Sequence, residues 1–122
     1  MPDKYHQPAH VRREQILQAA VALAARDGYP NIKRDEVAQR AGVAGGSVNL
    51  HFSTMTQLRR DVVRYAVNEA NKVLASENAV PSTVTYCKAL LRVVAQALSM
   101  KDKHACKATD AVKKAAIAEA GR

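Results

Sequence analysis

The chain has 122 residues, enough for one domain with one core and little more. Hydrophobic residues make up 48% and aromatics only 4%, so the chain is expected to fold, with a core of small side chains rather than stacked rings. The formal net charge of +8 is compatible with a polyanionic partner, and two cysteines, Cys87 and Cys106, exclude a disulfide framework.

Lys and Arg outnumber acids 11 to 7 over residues 1–75 and 8 to 4 over residues 76–122, so charge alone locates no binding face. The β-branched runs and Gly-Asn turns that mark hairpins are missing, and the expected fold class is all-α. There is no signal peptide and no apolar run of membrane-spanning length. The expectation is a cytoplasmic protein with no membrane contact.

Met1 to Gln7 are polar and expected to be mobile. The first helix should begin near Pro8 and run to about Arg26, with Ile16, Ala20, Leu23 and Ala24 as its apolar stripe. Asp27-Gly28-Tyr29-Pro30 stops it, and Asn31 is the expected N-cap of a second helix over about Lys33 to Ala41. Val37, Ala38 and Ala41 give that helix an apolar edge, Gly42 ends it, and Val43 is the expected buried pin of the turn. A third helix runs from about Gly45 to Leu50. It is poor in large side chains and rich in small polar ones. Two short helices around a tight turn form the layout that carries one helix into the DNA major groove.

Thr54 and Gln57 have capping-box spacing for a long fourth helix, about Met55 to Ala75, with Leu58, Val62, Ala66 and Val73 on one side. Ser76 to Pro81 reads as a linker, and Ser82 can cap a fifth helix. In that helix Val84, Cys87, Leu91, Val94 and Leu98 recur in steps of three and four, widened by Leu90 and Val93. This stripe can cover the fourth helix, pair with a second copy of itself, or do both. The last segment, Lys101 to Arg122, carries a helix from about Thr109 to Ala120 and leaves three roles open: docking helix, dimer arm or basic tail.

The third helix has the chemistry of a reader. Its N-terminus offers free backbone N–H groups, and Gly45 and Gly46 allow the backbone to approach a strand closely. Ser47 can donate and accept hydrogen bonds, and Asn49 matches the N6 and N7 edge of adenine. Leu50 is placed against a thymine methyl, with a core position as the alternative, and His51 can donate to a phosphate. Lys33 and Arg34 can hold the DNA backbone or probe a groove edge. Phe52, the single phenylalanine, is read as the core residue that fixes the third helix to the first and fourth.

These residues resemble the TetR family of bacterial transcription regulators. The resemblance rests on Ile16, Ala19, Ala20, Leu23 and Gly28, then on Val37, Ala38, Ala41, Gly42, Val43, Gly46, Ser47, Val48, His51, Phe52 and Leu58. It covers about the first 75 residues. It implies a homodimeric DNA-binding regulator, most often a repressor, with contacts from Lys33, Arg34, Gly45, Gly46, Ser47, Asn49, Leu50 and His51. Three positions depart from the family pattern: Asn49 stands for a phosphate-binding Tyr, Met55 for a Lys, and Ala44 for a capping Ser. The organisation expected is a helix-turn-helix DNA-binding domain over residues 1–53. Residues 54–122 then hold a connecting helix, a dimerisation helix and a basic, Ala-rich end.

Family members usually carry a larger helical C-terminal domain that encloses a ligand. About 45 residues follow the fourth helix here, too few to form a seam and also surround a drug-sized molecule. The expectation is therefore a homodimer on double-stranded DNA, with its seam on Val84, Cys87, Leu91, Val94 and Leu98, and with no cofactor, metal or small-molecule effector. Its setting would be the cytoplasm of a bacterial or mobile-element host. The rival reading keeps the helix-turn-helix as scaffold and lets the apolar stripe bind another protein. Catalysis is not expected, because Ser47 and His51 lie one turn apart without an orienting carboxylate or oxyanion site. His104-x-Cys106 is two metal ligands short of a site.

Overall fold

A computed structural model describes residues 8–75 and 81–121, with side chains over 8–74 and 87–121. Residues 1–7, the expected linker as far as residue 80, and the Val84 side chain lie outside what it describes. The described residues form α1 (Ala9–Asp27), α2 (Arg34–Ala41), α3 (Gly45–His51), α4 (Met55–Ala75), α5 (Pro81–Ser99) and α6 (Asp110–Ala120). Short 3-10 turns stand at Tyr29–Asn31 and Lys103–Lys107, and the described residues contain no strand.

The ends of α1 and α2 are set by glycine. Gly28, at φ 93°, donates its N–H to Ala24 O at 2.7 Å. Gly42, at φ 73°, lies in the left-handed region that a Cβ disfavours. Its N–H bonds Gln39 O at 3.2 Å while Val43 N–H bonds Ala38 O at 3.0 Å, the paired closure of a Schellman motif. Asn31 does not cap α2. Its side-chain amide donates instead to Asp27 O at 2.7 Å, closing α1, and the cap position of α2 falls to Lys33, which makes no side-chain cap bond. Thr54 does cap α4, accepting from Gln57 N–H at 3.1 Å, and the Gln57 side chain takes the Ser53 hydroxyl at 2.9 Å. Pro81 opens α5, so Ser82 falls inside that helix rather than at its cap.

One buried cluster joins all six helices. Leu17, Val21 and Ala24 of α1 meet Val37 of α2, Val48 of α3, Leu58, Val62 and Val67 of α4, and Val93, Val94 and Ala97 of α5. Each large aliphatic chain removed from water stabilises the fold by about 1.5–3 kcal/mol. The turn pin differs from expectation: Val43 is half-buried, while Val48, inside α3, is fully buried.

Within one chain the C-terminal helix docks on the core. Thr109 caps α6 by accepting from Val112 N–H at 3.2 Å, and Val112 and Ala116 point into the core against α5. This changes the reading of the α5 stripe. Cys87, Leu91 and Val94 are 8%, 7% and 0% exposed within a single chain, so they are core side chains and not an open dimer seam. The face expected to form the seam is thus largely buried already within one chain, where α5 packs against α1, α4 and α6. Leu98 keeps partial exposure. Burial raises the Cys87 thiol above its usual range, with Glu119 adding to the effect, which keeps the thiol protonated in that core.

Candidate nucleic-acid interface

α3 is anchored from one side only. Val48 and, just past its end, Phe52 are fully buried, whereas Gly45, Gly46, Asn49 and Leu50 face solvent and Ser47 and His51 are half-buried. Leu50 is 81% exposed, which removes the core alternative for it. Ala44, at the cap position, makes no side-chain bond, so the first N–H groups of α3 receive no cap from that residue.

A Cβ built on Gly45 or Gly46 would meet nothing within 4 Å. The chain's own packing therefore does not require glycine at either position. Both glycines stand in the first turn of α3, directly after the cap position.

Lys33 is exposed beside α3's neighbour α2, and Arg34 is half-buried in the first turn of that helix, with its Nε buried and without a hydrogen-bond partner among the described residues. All eight expected reading residues thus fall on two consecutive elements joined by the Gly42–Val43 closure.

Phe52 is buried as the sequence indicated, but the polar support around it was not read from the sequence. Phe52 N–H bonds Val48 O at 2.8 Å and ends α3, with its ring 6.5 Å from that of His51. The Arg13 guanidinium lies over the Phe52 ring, 5.1 Å from its centroid, and also pairs with Asp61 of α4 at 3.3 Å. Asp61 is buried, and Arg60 and Arg64 hold its other oxygen at 3.3 and 3.8 Å. A signal existed: Asp61 stands three residues after Leu58 and one before Val62, a carboxylate on an inward stripe, flanked by arginines. At the other end of α1, Gln96 of α5 accepts from Tyr29 N–H at 3.0 Å and donates to Ala24 O at 3.1 Å. Nothing in the sequence marks Gln96, whose partners are about 70 residues away.

Among the described residues, no three of His, Cys, Asp and Glu gather as a metal set, Cys106 is exposed, and no helix is long and apolar enough to cross a membrane. A comparison with curated proteins gives no match. A family model does match: residues 16–62 fit that of the bacterial regulatory proteins of the tetR family. The matched segment runs from the first fully buried residue of α1, through the whole helix-turn-helix, to Val62 in α4. Residues 16–62 are thus similar to the N-terminal helix-turn-helix domain of the tetR family, a similarity that supports a DNA-binding transcriptional regulator.

Proposed function

We propose that the protein is a homodimeric repressor that reads a palindromic operator in a bacterial cytoplasm. α3 enters the major groove, and the two copies sit about 34–36 Å apart, one turn of B-DNA. The observation that carries this reading is the outer face of α3: two bare glycines, Asn49 and an 81% exposed Leu50 on a helix whose inner face is fixed. Asn49 reads a base edge, Leu50 touches a methyl group, and Gly45, Gly46, Ser47 and His51 lie against the sugar-phosphate strand. Lys33 and Arg34 hold phosphates. Residues 1–53 act as the reading unit and residues 54–122 as its support, a division of labour within one shared core.

The burial of the α5 stripe within one chain favours a dimer surface elsewhere. We place it on the outer face of α6, where Ile117 remains 66% exposed. The described grooves, about 500 Å³ beside Tyr29 and Lys103 and about 480 Å³ between α5 and α6, open widely to solvent. They favour control by protein concentration or by a partner over an engulfed effector. The rival interaction-module reading needs the α5 stripe as its docking surface, and the burial of Leu91 and Val94 counts against it.

The test is a gel shift on the protein's own promoter region and on duplexes selected from random DNA. Asn49→Ala is expected to weaken binding about tenfold and to relax specificity at one base pair. Arg34→Ala is expected to weaken binding to every sequence and to lower the salt slope by about 1. Unchanged binding by both variants would remove the assigned reading face.

A further inference from the structure

We infer that Asp61 is a positioning residue for the reading helix: it holds the Arg13 guanidinium across the Phe52 ring and so sets the angle at which α3 leaves the body. The inference rests on α3 being the reading element. α3 has seven residues and two buried anchors, Val48 within it and Phe52 just past its end. A helix so short has no length over which to average out an error at its anchor, so the ring of Phe52 acts as its hinge.

Three elements meet at that ring. Arg13 comes from the second turn of α1, and its guanidinium lies 5.1 Å from the ring centroid. The same guanidinium reaches Asp61 Oδ2 at 3.3 Å, so its position is set by α4 as well as by the ring. Asp61 is in turn fixed from its other side. Arg60 Nε lies 3.3 Å and Arg64 Nη1 3.8 Å from Oδ1, and the carboxylate side chain is 7% exposed while all three arginines remain about half exposed. One buried carboxylate with two occupied oxygens cannot rotate freely, whereas an arginine on the surface alone could. Asp61 therefore confers on Arg13 a single place above Phe52.

A planar guanidinium is needed for this. It can present a face to the ring and an edge to the carboxylate at the same time, which a lysine ammonium cannot. The consequence falls on base reading rather than on attraction to DNA. Hydrogen bonds to base edges fail when the helix shifts by a fraction of its contact distance, while phosphate attraction is tolerant of such a shift.

The experiment measures fluorescence anisotropy of the full chain on its selected duplex and on a scrambled duplex, across a salt series. Asp61→Asn, Arg13→Lys and the double variant are compared with the wild type under conditions where circular dichroism shows each folded. Arg13→Lys keeps the ion pair and lies at a half-exposed site, so it tests the idea even if Asp61→Asn does not fold. Each single variant is expected to lose about tenfold in affinity for the selected duplex, with affinity for the scrambled duplex and the salt slope unchanged. The double variant is expected to lose no more than either single. Wild-type affinity in Arg13→Lys overturns the inference, as does equal loss on both duplexes. A salt slope lowered by about 1 also overturns it, since Arg13 would then be a phosphate contact in its own right. A wild type that binds no duplex at low salt overturns the reading role of α3 and this inference with it.

Discussion

Two helix ends in this protein close with the same bonds and different residues. After α2, Gly42 N–H bonds Gln39 O and Val43 N–H bonds Ala38 O. After α5, Lys101 N–H bonds Leu98 O at 3.1 Å and Asp102 N–H bonds Ala97 O at 2.9 Å. Both are Schellman closures, and both need a residue at positive φ: Gly42 at 73° and Lys101 at 58°. They diverge at the next residue. Val43 packs partly against the core, whereas Asp102 extends a carboxylate that accepts from His104 N–H at 2.9 Å and from the Tyr29 hydroxyl at 3.3 Å. The first closure orients α3 with backbone and apolar contact alone. The second fastens the α5–α6 connection to the turn after α1 by polar side chains.

The largest effect that separates the two closures should come from Asp102→Ala. It removes the cap of the 3-10 turn at Lys103–Lys107 and leaves the buried Tyr29 hydroxyl without its acceptor. Burial, then the charge of Asp102, raises the Tyr29 phenol above its usual range, so it stays a proton donor at neutral pH. The expected loss is about 2 kcal/mol, read as a lower urea midpoint at unchanged slope. Val43→Ala, at the matching position, should cost less. Equal losses would show that the Asp102 carboxylate adds nothing to its closure.

Next in size is Gly42→Ala. Open space surrounds the added Cβ, so the cost comes from the backbone, about 1–2 kcal/mol for a left-handed alanine, offset by about 0.5–1 kcal/mol from the stiffer unfolded chain. Because the closure aims α3, the same variant should bind its selected duplex more weakly while it remains folded. A stability loss near zero would mean that the turn can adopt another closure, and the comparison with Lys101 would lose its basis.

These residues also show how much of the molecule was legible in the sequence. Gly42 announced its turn because glycine is the ordinary occupant of a positive-φ closure, and α2, α3 and the long α4 follow from it and from the apolar spacing. Thr54 and Thr109 stood at helix starts with the right spacing to be read as caps or boundaries. Lys101 takes the same conformation with no such mark. The stripe on Cys87, Leu91 and Val94 was visible as apolar, but periodicity does not say what covers a face, and these side chains are buried within a single chain. Arg13 with Asp61, and Gln96 with Tyr29, pair across 48 and 67 residues. Such pairs depend on how the helices cross, which no local spacing encodes. Asn31 had two local acceptor or donor roles within reach, and the closure of α1 took it.

The smallest effect tests whether the two closures are physically alike. Lys101 is exposed, so replacing it removes no packing. In Lys101→Gly the native state is relieved of a left-handed Cβ, worth about 1–2 kcal/mol. The unfolded chain gains freedom with the new glycine, which offsets about 0.5–1 kcal/mol of that. The expected result is a net gain of about 0.5–1 kcal/mol, or a melting temperature raised by about 3 °C. Lys101→Ala separates causes: it removes the same charge and keeps the Cβ, so its stability should stay near the wild type. If both variants gained equally, the benefit would come from thinning the positive charge around Lys103 and Lys107, and not from the backbone. A gain confined to glycine makes the α5 closure a twin of the α2 closure, strained at one residue and held in place by Asp102.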